Sequence, residues 1–363
     1  MDVTNSFESH HIKSDLPEKL LPKFYITEAK KPRSSPYTFN DNDFYQTLKR
    51  RVRRILKILP DDCWQISTLY SDFLFLIALT TSSTANAYSS YTVALVASIS
   101  ICLLLIASHN YIHQRDNYRM YYSDIFMFSS RTFRILHILS HHSYPNTTAD
   151  VDLTFSLPAI NVFPEEKNFF VRYLPWLMTT FFFFPLALHI ATLLSILESI
   201  VYKTNYKCVV LPFLVPFVMY FCEGKSVIST LVMWQIIIFL ASFFVSHISF
   251  TITHVHPDLY MEGDTIRPNN QLDWGIYQLD TVCDRREIIG NTFLTLTTFG
   301  DHALHHLFPT LDHGYLKHLY PILEETMKEF DMHNIHIMTH FDIYLGFFRQ
   351  AARVVPKLSP PTL

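Results

Sequence analysis

Nineteen histidines occur among the 363 residues, and eight of them fall into three short groups. His109 and His113 close an apolar run as His-Asn-Tyr-Ile-His. His137, His141 and His142 stand in His-Ile-Leu-Ser-His-His, and His302, His305 and His306 in His-Ala-Leu-His-His. Residues three or four apart share one face of a helix, so each group can aim two or more imidazoles at one centre. Imidazole suits iron, zinc and copper and binds them through a neutral nitrogen. A metal therefore avoids stacking buried positive charge. One HxxxH pair alone is a weak signal. Single histidines near a membrane ordinarily serve as polar caps or satisfied core residues, and His189, His313, His318, His333, His336 and His340 are read that way. Three groups, each beside an apolar segment, are a strong signal, because clustered ionisable side chains at membrane helix ends are costly without a role.

The elements that must position these groups follow from where charge is missing. Charged residues make up 17% of the chain, against roughly 25% in an average soluble protein, and aromatic residues make up 15%. Only 7 glycines are present. This composition excludes a disordered chain, a collagen-like one and a Gly-rich nucleotide-binding sheet. A net charge of -3 gives no case for nucleic acid, and five scattered cysteines without a CxxC pair argue against a zinc ribbon or disulfide framework. Apolar runs at about 65–84, 88–108, 174–199, 206–222 and 227–250 are long enough, or nearly so, to cross a bilayer. Lys49, Arg50, Arg51, Arg53, Arg54 and Lys57 precede the first run and place that end in the cytosol. They suit anionic lipid or an acidic protein surface. The N-terminus is polar and acidic, so no secretory signal is expected there. All three groups must face one compartment to build one site. That requires an even number of crossings between the second and third groups, so one of three apolar runs stays in the interface. Residues 206–222, short and carrying Pro212 and Pro216, are the expected one. The fold class is all-α: four transmembrane helices in two hairpins, an interfacial helix, and a helical cytosolic cap carrying the histidines.

The second group continues as Ser143-Tyr144-Pro145-Asn146-Thr147. Asp273-Trp274-Gly275 runs to Leu279 ahead of the third group, which continues His305-His306-Leu307-Phe308-Pro309-Thr310. With these continuations the sequence resembles the membrane fatty acid desaturase family, in its cytochrome b5-fused branch, over about residues 65–350. The resemblance implies two iron ions held by nine histidines, O2 as oxidant and a fatty acyl substrate that gains a double bond. It implies electrons from cytochrome b5 and its NADH-dependent reductase, and residence in the endoplasmic reticulum with both termini and the active site cytosolic. The ninth ligand of the family follows the last membrane helix, which here implies His247 in Val-Ser-His-Ile, with His254 and His256 beyond the matching position. Asn146, Asp150, Asp152, Asp280 and Asp301 are the expected partners of the ligands' outer nitrogens. The second group is one residue longer than the family's commoner HxxHH, which on an α-helix rotates the last pair by about 100°. A local π-bulge can absorb that residue. The third group begins with His302 where front-end desaturases usually carry Gln. The same scaffold can also hydroxylate, and a desaturase-like chain can lose turnover. A zinc hydrolase needs only about three histidines and leaves the rest idle.

Residues 1–32 add a second resemblance. Phe7-Glu8-Ser9-His10-His11 and Leu21-Pro22-Lys23-Phe24-Tyr25-Ile26 are similar to the C-terminal end of a cytochrome b5 domain. That implies His10 or His11 as a vestigial haem ligand. The HPGG motif of the first ligand is absent, so no haem is expected in this chain. The expected organisation is this remnant at 1–32, a basic linker at 33–62, the desaturase-like domain at 63–350 and a tail at 351–363.

Overall fold

A computed structural model describes residues 3–28, 30–31, 35–60, 62–157, 160–203, 206–223, 225–250, 253–268 and 271–362. The chain is about 64% helical, with almost no sheet. The helices used below are α1 (Thr4–His10), α2 (Phe44–Leu56), α3 (Cys63–Tyr88), α4 (Tyr91–Ile112), α5 (Phe184–Tyr202), α6 (Leu214–Glu223), α7 (Val227–Phe250), α8 (Trp274–Asp280), α9 (His302–Leu307) and α10 (His340–Ala352). Two short parallel strands, Asp284–Arg285 and Ile337–Met338, tie the approach to α9 to the approach to α10.

Among the described residues, four helical stretches are long and apolar enough to cross a membrane: Cys63–Tyr88, Tyr91–Ile112, Thr179–Tyr202 and Val227–Ser249. α3 and α4 form a tight hairpin. Ser89 takes a left-handed conformation at the end of α3, and the Ser90 side chain caps α4 by accepting from Val93 N. Small residues then let helices approach closely, as at Ser98, whose hydroxyl donates to Ile237 O on α7.

Depth along α3 changes the assignment of the third crossing. Ser67 Oγ bonds Asp312 beside the histidines, whereas Asn86 Nδ2 donates to Met219 O on α6 and to Thr230 on α7 near the opposite end. The stretch leading into α6 begins at Lys207, whose Nζ donates to Tyr121 Oη, and Tyr122 Oη donates to Asp72. Residues 207–223 thus run alongside α3 from the level of Asp72 to that of Asn86. They form a hairpin with α7. α5 starts where Ser242 Oγ donates to Phe184 O, passes Thr132, which bonds Ser195 and Glu198, and ends five residues before Lys207. Both its ends therefore lie nearer the histidine ends of α3 and α7 than their opposite ends, so α5 turns back without crossing, with Leu193, Leu197 and Ile200 exposed. The architecture of two hairpins plus one interfacial helix stands, but 206–222 is a crossing and the longer run at 184–202 is the interfacial helix.

The basic segment is only partly a surface. α2 packs its apolar face on the cap, in one core with Trp274, Leu304 and Phe308. Lys49 is fully buried, donating to Glu8 and paired with Glu18 (2.9 and 3.1 Å). Arg53 reaches Glu18 and the carbonyls of His11, Ile12 and Ser14, and Arg51 pairs with Glu329. These ties hold α1 on the cap, where Asn5 Nδ2 donates to Ser143 O and Thr310 Oγ1 donates to His10 O. Three of the six cations expected to face lipid or a partner are instead spent inside the fold.

Candidate metal centre

His109 sits in the last turn of α4, and His113 caps that helix. The second group lies on a π-helical segment, Arg134–His141, and His142 N donates to His137 O five residues back at 3.0 Å. The extra residue of His-Ile-Leu-Ser-His-His is absorbed as expected. Asp301, in a left-handed conformation, starts α9, which carries the third group.

Two sets of histidines result: His109, His113, His137, His142 and His305 in one, and His141, His254, His302 and His306 in the other. In each set the candidate ligand atoms lie within 4.8 Å of one another. Nε2 atoms meet at 2.9 Å (His109, His137), 3.0 Å (His109, His113) and 3.1 Å (His137, His142) in the first set. In the second they meet at 3.1 Å (His141, His254) and 2.8 Å (His254, His302). With metal–nitrogen bonds of about 2.1 Å, ligands at right angles stand about 3.0 Å apart. These separations are those of a coordination shell.

The outer nitrogens decide which tautomers face inward. His137 Nδ1 bonds Asp152 and His141 Nδ1 bonds Asp150, each at 2.8 Å. His254 Nδ1 donates to Thr281 O at 3.0 Å, and His306 Nδ1 donates to Gln278 Oε1 at 2.9 Å. A carbonyl and a carboxylate accept only, so the protons of His254 and His141 lie outward. With both rings neutral their Nε2 lone pairs confront each other at 3.1 Å, a contact that a shared metal cation, or a proton on His141, relieves. Burial, reinforced by the neighbouring imidazoles, holds His113, His142, His254, His302, His305 and His306 well below the usual imidazole pKa. Burial also disfavours charge on His141, but Asp150 outweighs it and raises that pKa. A donor set of neutral imidazoles, with carboxylates on two outer nitrogens, fits a redox metal such as iron.

All eight histidines of the three groups enter one or other of the two sets. His247 does not join them: α7 continues through it, and its ring packs beside Tyr344 and Phe243. His254, four residues beyond the end of α7, joins the second set. Asp150 and Asp152 lie on the outer nitrogens of His141 and His137. Asn146, left-handed and buried, donates from Nδ2 to the carbonyls of His254 and Tyr260 and so fixes the segment that presents His254. Asp280 and Asp301 have other work. Asp280 pairs with Arg267, and Asp301 accepts from Gly290 N, Thr295 and Tyr320. His10 lies on the cap with Nδ1 on Ser9 Oγ, and His11 Nδ1 contacts Phe7 O. Sequence reasoning missed Gln278, which lies in the quoted Asp273–Leu279 stretch, and Thr281, which acts through its backbone.

A cavity of about 240 Å³ opens onto His109, His137, His141, His254 and His302. Its wall is mostly apolar, with Leu105 from α4, Phe155 and Phe183, and Ala187, Ala191 and Leu194 from α5.

The fatty acid desaturase family matches residues 86–337. Cytochrome b5-related protein of Drosophila melanogaster is 34% identical over 375 residues, covering 99% of this chain and 83% of that one. Delta(5) fatty acid desaturase A of Dictyostelium discoideum is 25% identical, covering 94% of this chain and 80% of its own. Probable Delta(5) fatty acid desaturase C of the same organism is 24% identical, covering 92% and 80%. No solved structure matches. With its two histidine sets and a family match spanning well over half its length, the chain belongs to the fatty acid desaturase family as an integral-membrane, desaturase-like oxidoreductase.

Proposed function

We propose that this protein desaturates a fatty acyl chain, using two iron ions held by His109, His113, His137, His142 and His305 and by His141, His254, His302 and His306. The observation that carries the reading is that both sets stand at one wall of an apolar cavity. Bound iron would supply the O2-dependent oxidation that removes one hydrogen from each of two adjacent methylenes. The chain's own residues do the rest. Leu105, Phe155, Phe183 and Leu194 bind the acyl chain by burying its methylenes, at about 0.8 kcal/mol each. Asp150, Asp152, Gln278 and the Thr281 carbonyl orient the imidazoles and hold their protons on the outer nitrogens. The cavity wall keeps bulk water away from the reacting carbons.

Electrons are drawn from cytochrome b5 and its NADH-dependent reductase, in keeping with the cytochrome b5-related relative. The histidine face is cytosolic and the membrane is the endoplasmic reticulum. Arg50, Arg54 and Lys57, left over by the internal ion pairs of α2, are the cations that face lipid head groups or the electron donor. The test is iron stoichiometry on detergent-purified protein, followed by product analysis with supplied cytochrome b5, reductase and acyl lipids or acyl-CoA. About two irons per chain and a new double bond are expected, both lost in the His305→Ala, His306→Ala variant. Folded protein without iron or with zinc alone would sink the reading.

A further inference from the structure

His313 was read from the sequence as an ordinary core histidine, and its surroundings say otherwise. Five of the nine rings have a hydrogen-bonding partner on the outer nitrogen. For four of them the partner atom is an oxygen. For His305 it is another imidazole: His313 Nε2 lies 3.3 Å from His305 Nδ1, with both rings buried.

His313 is itself held from several sides. Its backbone N donates to Asn110 Oδ1 at 3.1 Å. The adjacent Asp312 carboxylate accepts from Asn110 Nδ2 (2.7 Å), Gln114 Nε2 (3.1 Å), Ser67 Oγ (2.7 Å) and Gly314 N (2.9 Å). Asn110 follows His109 directly, so this clip joins the first histidine group to the third. Its turn presses against the start of α3, where a Cβ on Gly314 would stand 2.1 Å from Cys63 O.

We propose that His313 is a positioning residue for the five-histidine set, accepting the Nδ1 proton of His305 and so directing the Nε2 lone pair of His305 at the metal. The proposal rests on the iron-binding reading above. The opposite proton placement puts a hydrogen on His305 Nε2, a buried atom that has no hydrogen-bond partner in the protein and faces the other ligands. Acceptance by His313 instead places the unpartnered proton on His313 Nδ1, on a ring outside the two sets, and leaves the His305 Nε2 lone pair free for a metal.

His313→Gln and His313→Met test this in the full-length protein. The two side chains are similar in size, but only glutamine offers a good acceptor to His305. Iron per chain and the rate of iron loss to a chelator are read on purified protein, with thermal melting of the metal-free forms as the control. The methionine variant should lose iron from one of the two sets about 10–100-fold more readily, the usual effect of removing an outer partner. The glutamine variant should stay within a few fold of wild type. Equal retention in both variants overturns the proposal. Equal loss in both also overturns it, because acceptance would then not be what matters. Wild-type protein that binds no iron would instead remove the iron-binding reading, independently of either variant.

Discussion

Replacing His254 with alanine, beside the same change at His247, separates two accounts of the ninth ligand. His254 Nε2 stands 3.1 Å from His141 Nε2 and 2.8 Å from His302 Nε2, and its outer nitrogen is already satisfied by Thr281 O. His247 packs against Tyr344 and Phe243 and shares no set. Closed four-ligand sites bind metal with about 10–16 kcal/mol, or about 2.5–4 kcal/mol per ligand if shared evenly. Losing one of four ligands should therefore weaken the second set's affinity by roughly 10²–10³-fold. His254→Ala should purify with about one iron in place of two and without turnover. His247→Ala should keep its iron and lose at most about 1–2 kcal/mol of stability, since its ring is only half-buried. The assay is iron per chain by elemental analysis, with chelator competition to rank affinities. Full iron in His254→Ala, or loss confined to His247→Ala, would refute the placement of the second set.

Four further outcomes follow from the geometry. Asp150→Asn should cost 10–100-fold in iron retention, because Asp150 holds His141 and also accepts from Asn146 N; Asp280→Asn, which breaks only the Arg267 pair, should lower melting temperature and leave iron content alone. Single cysteines at Lys203 and Lys225 should label from opposite sides of the membrane, with Lys203 on the histidine side; labelling of both from the lumenal side would restore the crossing of 184–202. Ala191→Phe should fill part of the cavity and shift products toward shorter acyl chains or abolish turnover, with unchanged iron. Burial alone would raise the Asp264 carboxyl, but bonds from Arg353 and from Lys357 N hold it below the usual carboxylate range. Its stabilisation is thus complete above about pH 4 and is lost as pH falls through its lowered folded value. Asp264→Asn should remove about 1.5–3 kcal/mol at neutral pH and flatten the acid limb of a stability–pH curve.

The box histidines were legible because their spacing, their neighbours and a shortage of charge nearby all pointed the same way. So were Asp150 and Asp152, which lie within hydrogen-bonding reach once the chain turns at Asn146. His254 was not, because a count from the end of the apolar run stops at His247, and nothing local marks the later histidine as the one that joins the set. The third crossing was misjudged by giving weight to its prolines. Pro212 sits in a 3₁₀ turn (Leu211–Phe213), and Pro216 is the third residue of α6, where its missing N–H costs no helical bond. Conversely, the apolar length of 184–202 fits a crossing and equally fits a helix lying in the interface, since both bury apolar surface in lipid. Only the contacts of its two ends distinguish them. The basic run before α3 was visible as charge, but charge does not reveal that Lys49 and Arg53 find carboxylates and carbonyls within the chain.

The extra residue in the second group explains how one segment serves both sets. At 100° per residue, an α-helix would put His137 and His142 about 140° apart, on different faces. The π-helical turn bonds each residue to the one five back and brings the i and i+5 side chains nearly into line. His137 and His142 can then share the first set, with Nε2 atoms 3.1 Å apart. His141 stacks against His137 (centroids 4.9 Å) yet belongs to the second. The loop that follows completes the division: Asp150 and Asp152, two residues apart, give one carboxylate to His141 and one to His137. A shorter HxxHH on a regular helix would align its first and last histidines by the ordinary four-residue repeat. Here the added residue and the wider turn compensate each other, so the first and last histidines of the group still meet in one set.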